Sequence, residues 1–534
     1  MFHQQLTPVA GSLPLSFFVA ALPIVTMLLV LGILRRPAWQ ASAVGLLIAL
    51  IIVVTAWQFP LPLAFAAITN GMTFAVLPIV WIVLNALLLY NLAVRSRSFD
   101  AFRVWILEHL PDDRRVVMVV IGFPFGALLE GIAGFGTPVA ITSSLLIMLG
   151  FAPLDALVCT LMFNTAPVAF SALGVPPVTL AAVTHLPAPV LAQMIGRQLP
   201  VLALILPFYV TAVYAGARGT RAVWPVLVVS GASFSIMQFL TSNYISFPLT
   251  DVVASLSSII ATLSFLRLWR PRPDPQFALD RSLRMKAAAL PASMWLAWAP
   301  WLIVTLTVIV WTALKLSRFG DIKVPWPGLH NAVSITLYHG MPYAAVWDFQ
   351  PLSTGTAILA ATAITAIVFK VNVDQILACV VQTWRQARFA VLTALFTIGL
   401  AYLMNYSGLN YTLGLGMSSV GLLFVFLSPF LGWLGVLIAG SDTAGNALFG
   451  NLQAISATQL GLSPVLFAAT NSSGGVLGKM VSLENIATGT AVTDLRAQEG
   501  RVFARTFPHS IALTLILGAL VAAQQFLLPA IIPR

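Results

Sequence analysis

The 534-residue sequence predicts an all-α polytopic membrane protein with about 12 transmembrane helices and two opposed re-entrant hairpins. Three observations carry this. Hydrophobic residues make up 59% of the chain against 8% charged, and the mean hydropathy is +0.95. Apolar runs of about 20 residues, each enough to cross roughly 30 Å of hydrocarbon, recur along the whole length. Two of the apolar stretches are interrupted by glycine and proline in a way that an ordinary crossing helix does not tolerate. No soluble domain of ordinary size fits between the runs, so residues 1–534 read as a single integral membrane unit.

The net charge of +11 does not point to nucleic acid, because the basic residues fall in short loops between spans, as the positive-inside bias requires. Cys159 and Cys379 lie in apolar surroundings, which argues against a disulfide framework or a metal cluster. The first 34 residues lack the basic start of a cleavable signal and carry an apolar run long enough to span, so they read as the first helix.

In order, the first three spans cover about 12–34, 41–57 and 72–94. Arg35 and Arg36 follow the first; Arg95, Arg97, Arg103, Arg114 and Arg115 follow the third. An extracytoplasmic N-terminus places all of these in the cytoplasm. The stretch 118–149 holds Glu130, Gly131, Gly134, Gly136 and Pro138 at its centre and reads as a hairpin entering from the cytoplasm. The fourth span, about 153–177, is interrupted at Asn164-Thr165-Ala166-Pro167. Spans five to seven cover 188–216, with Arg197 inside, 222–240 and 249–267. A cytoplasmic basic loop, 268–290, leads to span eight at 293–315, and the polar stretch 317–350 falls outside. Spans nine (353–370) and ten (389–406) flank an amphipathic cytoplasmic segment. A second broken stretch, 430–454, reads as a hairpin entering from outside. Span eleven, 464–481, is interrupted at Asn471–Gly475, and span twelve, 509–532, leaves the C-terminus outside.

The two interrupted regions match in order and spacing. IAG at 132–134 precedes LGFAPLDA at 149–156 and Asn164; IAG at 438–440 precedes LGLSPVLF at 460–467 and Asn471. The repeat cores are therefore 118–177 and 430–481, each a hairpin followed by a broken span, entering from opposite sides. Inverted repeats with paired discontinuous helices point to a secondary transporter whose site lies between the repeats near mid-membrane. The alternative is that the small residues only permit close helix packing.

Glu130, Arg197, Asp442 and Lys479 are the charges read as lying well inside apolar spans, where each must face protein, water or substrate. Glu130 and Asp442 are the candidate proton-coupling acids. The competing readings are a fixed pair of Glu130 with Arg197 or Lys479, and a helix N-cap for Asp442. Thr137 and Ser441 with Thr443 open the half-helices beyond Gly134-Phe135-Gly136 and Gly440, so those tips are candidate anion sites. Arg197 and Lys479 are candidate contacts for the anion. Asn164, Thr165, Asn471, Ser472 and Ser473 offer amides and hydroxyls at the interruptions, and Tyr406 reads as part of an outer vestibule. No GxxxxGK[ST] loop, HExxH motif or histidine cluster with ligand spacing is present, so ATP-driven and metalloprotease chemistry lack support, and no cofactor is expected.

FGALLEGIAGFGTPVAI (125–141), NTAPVAFSALGVP (164–176), GRQLP (196–200), NYSGL (405–409), SPFLGWLGVLIAGSDTAGNALF (428–449) and NSSGGVLGKM (471–480) resemble the lactate permease family of bacterial inner membranes. The resemblance covers nearly the whole chain. It implies import of L-lactate, D-lactate or glycolate with a proton. It also implies an ion-transporter architecture in which a moving, elevator-type transport domain rides on a scaffold. Ser472-Ser473 depart from the threonine-rich version of their motif. Sodium coupling is the alternative within the same class; a channel or a membrane enzyme is the alternative outside it, and no catalytic constellation supports the latter.

Overall fold

Every residue is described in this computed structural model except 35, 133, 135–136, 280–293, 493–494, 496–497 and 534. Helices dominate because a chain in hydrocarbon must bond each backbone N–H and C=O within its own segment. The first five are α1 (Leu13–Leu28, continued by a π-helical turn at Leu29–Ile33), α2 (Ala38–Thr55), α3 (Leu61–Phe74), α4 (Trp81–Arg95) and α5 (Ser98–His109). A π-helical Ala75–Val80 joins α3 to α4, and Leu77 leaves helical geometry there (φ −134°, ψ 112°). The predicted third span is thus the second part of a longer bent element that begins at Leu61.

The first interrupted region contains α6 (Arg114–Val120), a π-helical turn at Ile121–Phe125, α7 (Gly126–Ile132) and α8 (Thr137–Met148). Between α7 and α8, Gly134 takes φ +57°, a left-handed conformation open to glycine at little steric cost. The chain doubles back there. A Cβ added to Gly126 would sit 3.4 Å from the Thr142 methyl, so residues equally distant from Gly134 face one another. Next, α9 (Pro153–Phe163) and α10 (Ser171–Thr184) meet at a 58° bend across Asn164–Pro167, where the sequence placed it. Ala172, Leu173 and Gly174 follow with φ of 46°, 55° and 86°, and the two non-glycine residues each carry roughly 1–2 kcal/mol of strain.

Spans five and six form α11 (Ala188–Leu240), hinged at Gly216 (φ 68°, ψ 177°). Span seven is α12 (Thr250–Leu268), and spans eight and nine are α13 (Met294–Ala313) and α14 (Thr354–Val368). The amphipathic segment and span ten prove to be one 35-residue helix, α15 (Val373–Ser407), started by an Asn372–Gln375 capping box. The remainder comprises α16 (Leu409–Ser418), α17 (Phe424–Ala439), α18 (Asp442–Gln459), α19 (Pro464–Lys479), α20 (Leu483–Val492) and α21 (Glu499–Phe526). The chain reverses again between α17 and α18 at Gly440, φ +70°, bringing Gly435 and Gly445 face to face.

One expected interruption is absent. Helix α19 runs unbroken through Asn471–Gly475, and the chain turns only after Lys479. The glycines there serve contact instead: a Cβ on Gly474 or Gly478 would run into the backbone oxygens of Pro429 or Trp433 on α17, and one on Gly432 into that of Asn471. Small residues let two helix backbones approach. Among the described residues, eight helices are long and apolar enough to cross a membrane, or nine counting the bent α9–α10 pair. That number takes α11 and the α3–α4 element as one each, although both bend inside.

Packing follows the repeat. Helix α8 of the first reversal packs on α20 of the second region, and α18 of the second reversal packs on α10 of the first. Helices α2, α3, α4, α14 and α15 form another packed group, which also touches α1, α13, α10 and α18. The basic loop expected at 268–290 is described to residue 279, and it is pinned to the start of α6 by an Arg115–Asp274 contact and to the turn before it by an Asp113–Ala278 bridge. Its remaining residues lie outside those described. Stretch 317–350 holds two small sheets that the all-helical expectation did not include. In one, β1 (Phe2–His3) runs parallel to β2 (Val333–Ile335), which pairs with β3 (Met341–Pro342). In the other, Ile322–Pro325 pairs antiparallel with Val346–Phe349. The N-terminus therefore lies on the face bearing this stretch.

Stretch 317–350 with its two sheets caps this face, and there burial and the neighbouring Asp321 push the Asp348 carboxyl up to about 6. A group protonated more readily when folded stabilises at low pH and loses that contribution as pH rises through its folded value. The cap is therefore expected to loosen between about pH 4 and pH 6, and Asp348→Asn to abolish that slope. Amide hydrogen exchange over 322–349 against pH measures it; an unchanged slope in the variant refutes it.

Candidate functional site

A buried polar cluster lies where the two repeat regions meet. On α7, the fully buried Glu130 accepts from Lys479 Nζ of α19 at 2.5 Å through one carboxylate oxygen and from Asn164 Nδ2 at 3.0 Å through the other. Sequence reading set a proton role for Glu130 against a fixed pairing; the structure places it in the pair with Lys479. That ion pair ties the first region to the second, 349 residues apart.

The second region has its own network. Asp442 opens α18 and accepts from Ser472 Oγ at 2.5 Å and Asn446 Nδ2 at 3.2 Å on one oxygen, while its other oxygen has no partner among the described residues. Asn471 Nδ2 donates to Asn446 Oδ1 at 3.0 Å and to the Gly445 carbonyl at 3.2 Å, and its Oδ1 accepts from Gln453 at 2.8 Å. Asn471 and Ser472 are thus tied into the network, and the Ser473 hydroxyl is buried with no partner among the described residues. Thr165 hydrogen-bonds back to the Met162 carbonyl at 2.7 Å, closing the turn after α9.

A cavity of about 60 Å³ opens at the second reversal, lined by Ala439, Ser441, Thr443 and Glu484 together with Val175 of α10 and residues of α15. That is room for several water-sized groups, the scale of a small organic acid. The start of α18 faces it. Gly445 N–H bonds back to the Ser441 carbonyl, and the N–H groups before it have no intrahelical partner. Ser441 makes no capping bond with its side chain. Hydroxyls, free amides and the positive helix end together suit a carboxylate.

Two expected contacts lie elsewhere. Arg197 donates to Asn243 Oδ1 at 2.9 Å and to the Ile531 carbonyl, which makes it an anchor for the C-terminal end rather than a partner of the cluster. Tyr406 packs 4.3 Å from Tyr343 and donates to the Ala344 carbonyl, under the cap rather than at the cavity. Gly134 stands at the first tip as expected; Gly136 and the side chain of Thr137 lie outside the described residues. Sequence reading missed two acids. Glu484 lines the cavity beside Gly440, and Asp251, at the start of α12, is buried against Gly131. Glu130, Asp251, Asp442 and Glu484 all lie within electrostatic reach of Lys479.

Comparison with known proteins gives the family. The model of the L-lactate permease family matches residues 16–528. The glycolate permease GlcA of Escherichia coli K12 is 38% identical, covering 97% of each chain, and the L-lactate permease of Bacillus subtilis is 37% identical over 99% of each. The L-lactate permease of E. coli K12 is 37% identical over both full lengths. Among solved structures, the YdaH transporter of Alcanivorax borkumensis aligns with 85% of this chain and 86% of its own at 16% identity and a TM-score of 0.44. MtrF of Neisseria gonorrhoeae aligns with 86% and 83% at 14% identity and a TM-score of 0.47. The chain, a multi-pass membrane protein, belongs to the L-lactate permease family.

Proposed function

We propose that this protein imports a 2-hydroxymonocarboxylate, L-lactate and also D-lactate and glycolate, together with a proton across the bacterial inner membrane. The observation that carries this reading is the cavity at the second reversal, where Ser441, Thr443 and the free amides of α18 converge. The substrate carboxylate would take those donors. The reversals at Gly134 and Gly440 serve as two opposed re-entrant hairpins, and the cross-packing of α8 on α20 and of α18 on α10 supports their moving together. They would carry the site, elevator-fashion, past the scaffold of α2, α3, α4, α14 and α15, with both chain termini on the outer face.

The test is uptake of labelled L-lactate into proteoliposomes under an imposed proton or sodium gradient, with D-lactate, glycolate and pyruvate as competitors. Accumulation driven by the proton gradient supports the proposal; dependence on sodium alone, or no accumulation, overturns it. Thr443→Ala is expected to raise the apparent KM roughly 10-fold or more, the loss of one hydrogen bond to a charged group, with Thr443→Ser close to wild type. An unchanged KM would remove Thr443 from the site.

A further inference from the structure

We propose that Asp251 is the residue that carries the coupled proton, a deepening that rests on the proton-symport reading above. Asp251 lies in the first turn of α12 and is 1% exposed, and neither of its carboxylate oxygens has a hydrogen-bond partner among the described residues. It is not a helix cap, since no backbone N–H reaches it. Its neighbour is the pair that joins the two repeat regions: a Cβ added to Gly131, the residue after Glu130, would come within 2.5 Å of the Asp251 Cβ.

The charges decide the rest. Glu130 and Lys479, paired with each other, lie within electrostatic reach of Asp251. Of the other elements packed on α12, α10 and α13 contain no ionisable side chain; on α11 Arg197 is held by Asn243 and Ile531, Tyr209 pairs with His509, Tyr214 packs on Phe151 and Phe277, and Arg218 and Arg221 are exposed, as is Tyr244 in the turn that follows. Both Glu130 oxygens are occupied, one by Lys479 and one by Asn164. A single ammonium therefore stands against several carboxylates: Glu130 and Asp442 have hydrogen-bond partners and Glu484 is exposed, so Asp251, buried with none among the described residues, is the one that must be neutral. Asp251 holds a proton in this conformation. When the cluster opens to the outer solution, a hydronium ion gives its proton to an Asp251 oxygen. When it opens inward, that O–H bond breaks and the proton passes to water.

The experiment compares wild type and Asp251→Asn in proteoliposomes by two readouts, labelled-lactate exchange at equal pH and accumulation driven by a pH gradient. Asparagine mimics the protonated acid, so exchange is expected within a few-fold of wild type and pH-driven accumulation is expected to be lost. Accumulation in the variant equal to wild type overturns the assignment while leaving proton symport standing. Failure of wild type itself to respond to the gradient overturns both. Independently of any variant's folding, infrared titration of wild type should show a protonated carboxylic acid at neutral pH. Absence of that band overturns the assignment.

Discussion

Lys479→Met is expected to abolish uptake and strip most of the folded protein from detergent extracts, because it leaves Glu130 buried and unpaired. Removing one member of a buried pair costs about 3–5 kcal/mol, roughly two to four orders of magnitude in folded population. The 2.5 Å contact is buried on both sides, so little of that is screened by water. The informative comparison is the double variant Lys479→Met/Glu130→Gln. Replacing both charges removes the desolvation problem, so fluorescence-detected size-exclusion should show a monodisperse peak and thermal stability close to wild type. Transport should stay lost, because the charge that balances Asp251 has gone with the pair. A double variant as unstable as the single one would mean that Lys479 supports the fold by something other than its contact with Glu130.

The second large effect is steric. Gly432→Val and Gly474→Val are expected to prevent α17 and α19 from closing, since any side chain at either position meets a backbone oxygen of the opposing helix. Backbone cannot rotate away as a side-chain tip can, which puts these at or beyond the upper end of the 1–3 kcal/mol typical of overpacking. Gly500→Ala is the control: nothing lies within 4 Å of a Cβ there, and alanine in a helix is worth about 0.5–1 kcal/mol over glycine. Thermal melting of the three purified variants separates close packing from a general intolerance of substitution. Equal melting temperatures for all three would refute the close-contact argument.

The same glycines show what was legible in the sequence and what was not. Gly134 and Gly440, each ending an IAG triplet, do mark chain reversals, and both take left-handed φ. Asn164 likewise stands at a true bend, because Pro167 cannot continue α9. Asn471–Gly475 looked equivalent but is helical. Glycine lowers helix propensity and also permits backbone contact, and only the neighbouring helix decides which property matters. Glu130 was readable because it lies mid-span beside breakers. Asp251 was not, since it sits at the margin of its span, where an acid is unremarkable until Gly131 is seen against it. Arg197 was misassigned because a sequence gives a charge its depth but not its direction; its partners are 46 and 334 residues away. The strands near residues 322–349 are too short to carry a period that could be recognised.

The pairing of Glu130 with Lys479 also sets a schedule for biosynthesis. Translation at about 5–20 residues per second leaves roughly 17 to 70 s between emergence of the acid and of its amine, 349 residues later. For that interval the nascent first half holds a carboxylate with no counter-ion, so the insertion machinery or a retained aqueous pocket must shelter it. Nascent chains halted short of residue 479 should accordingly stay sensitive to membrane proteases that leave the finished molecule alone.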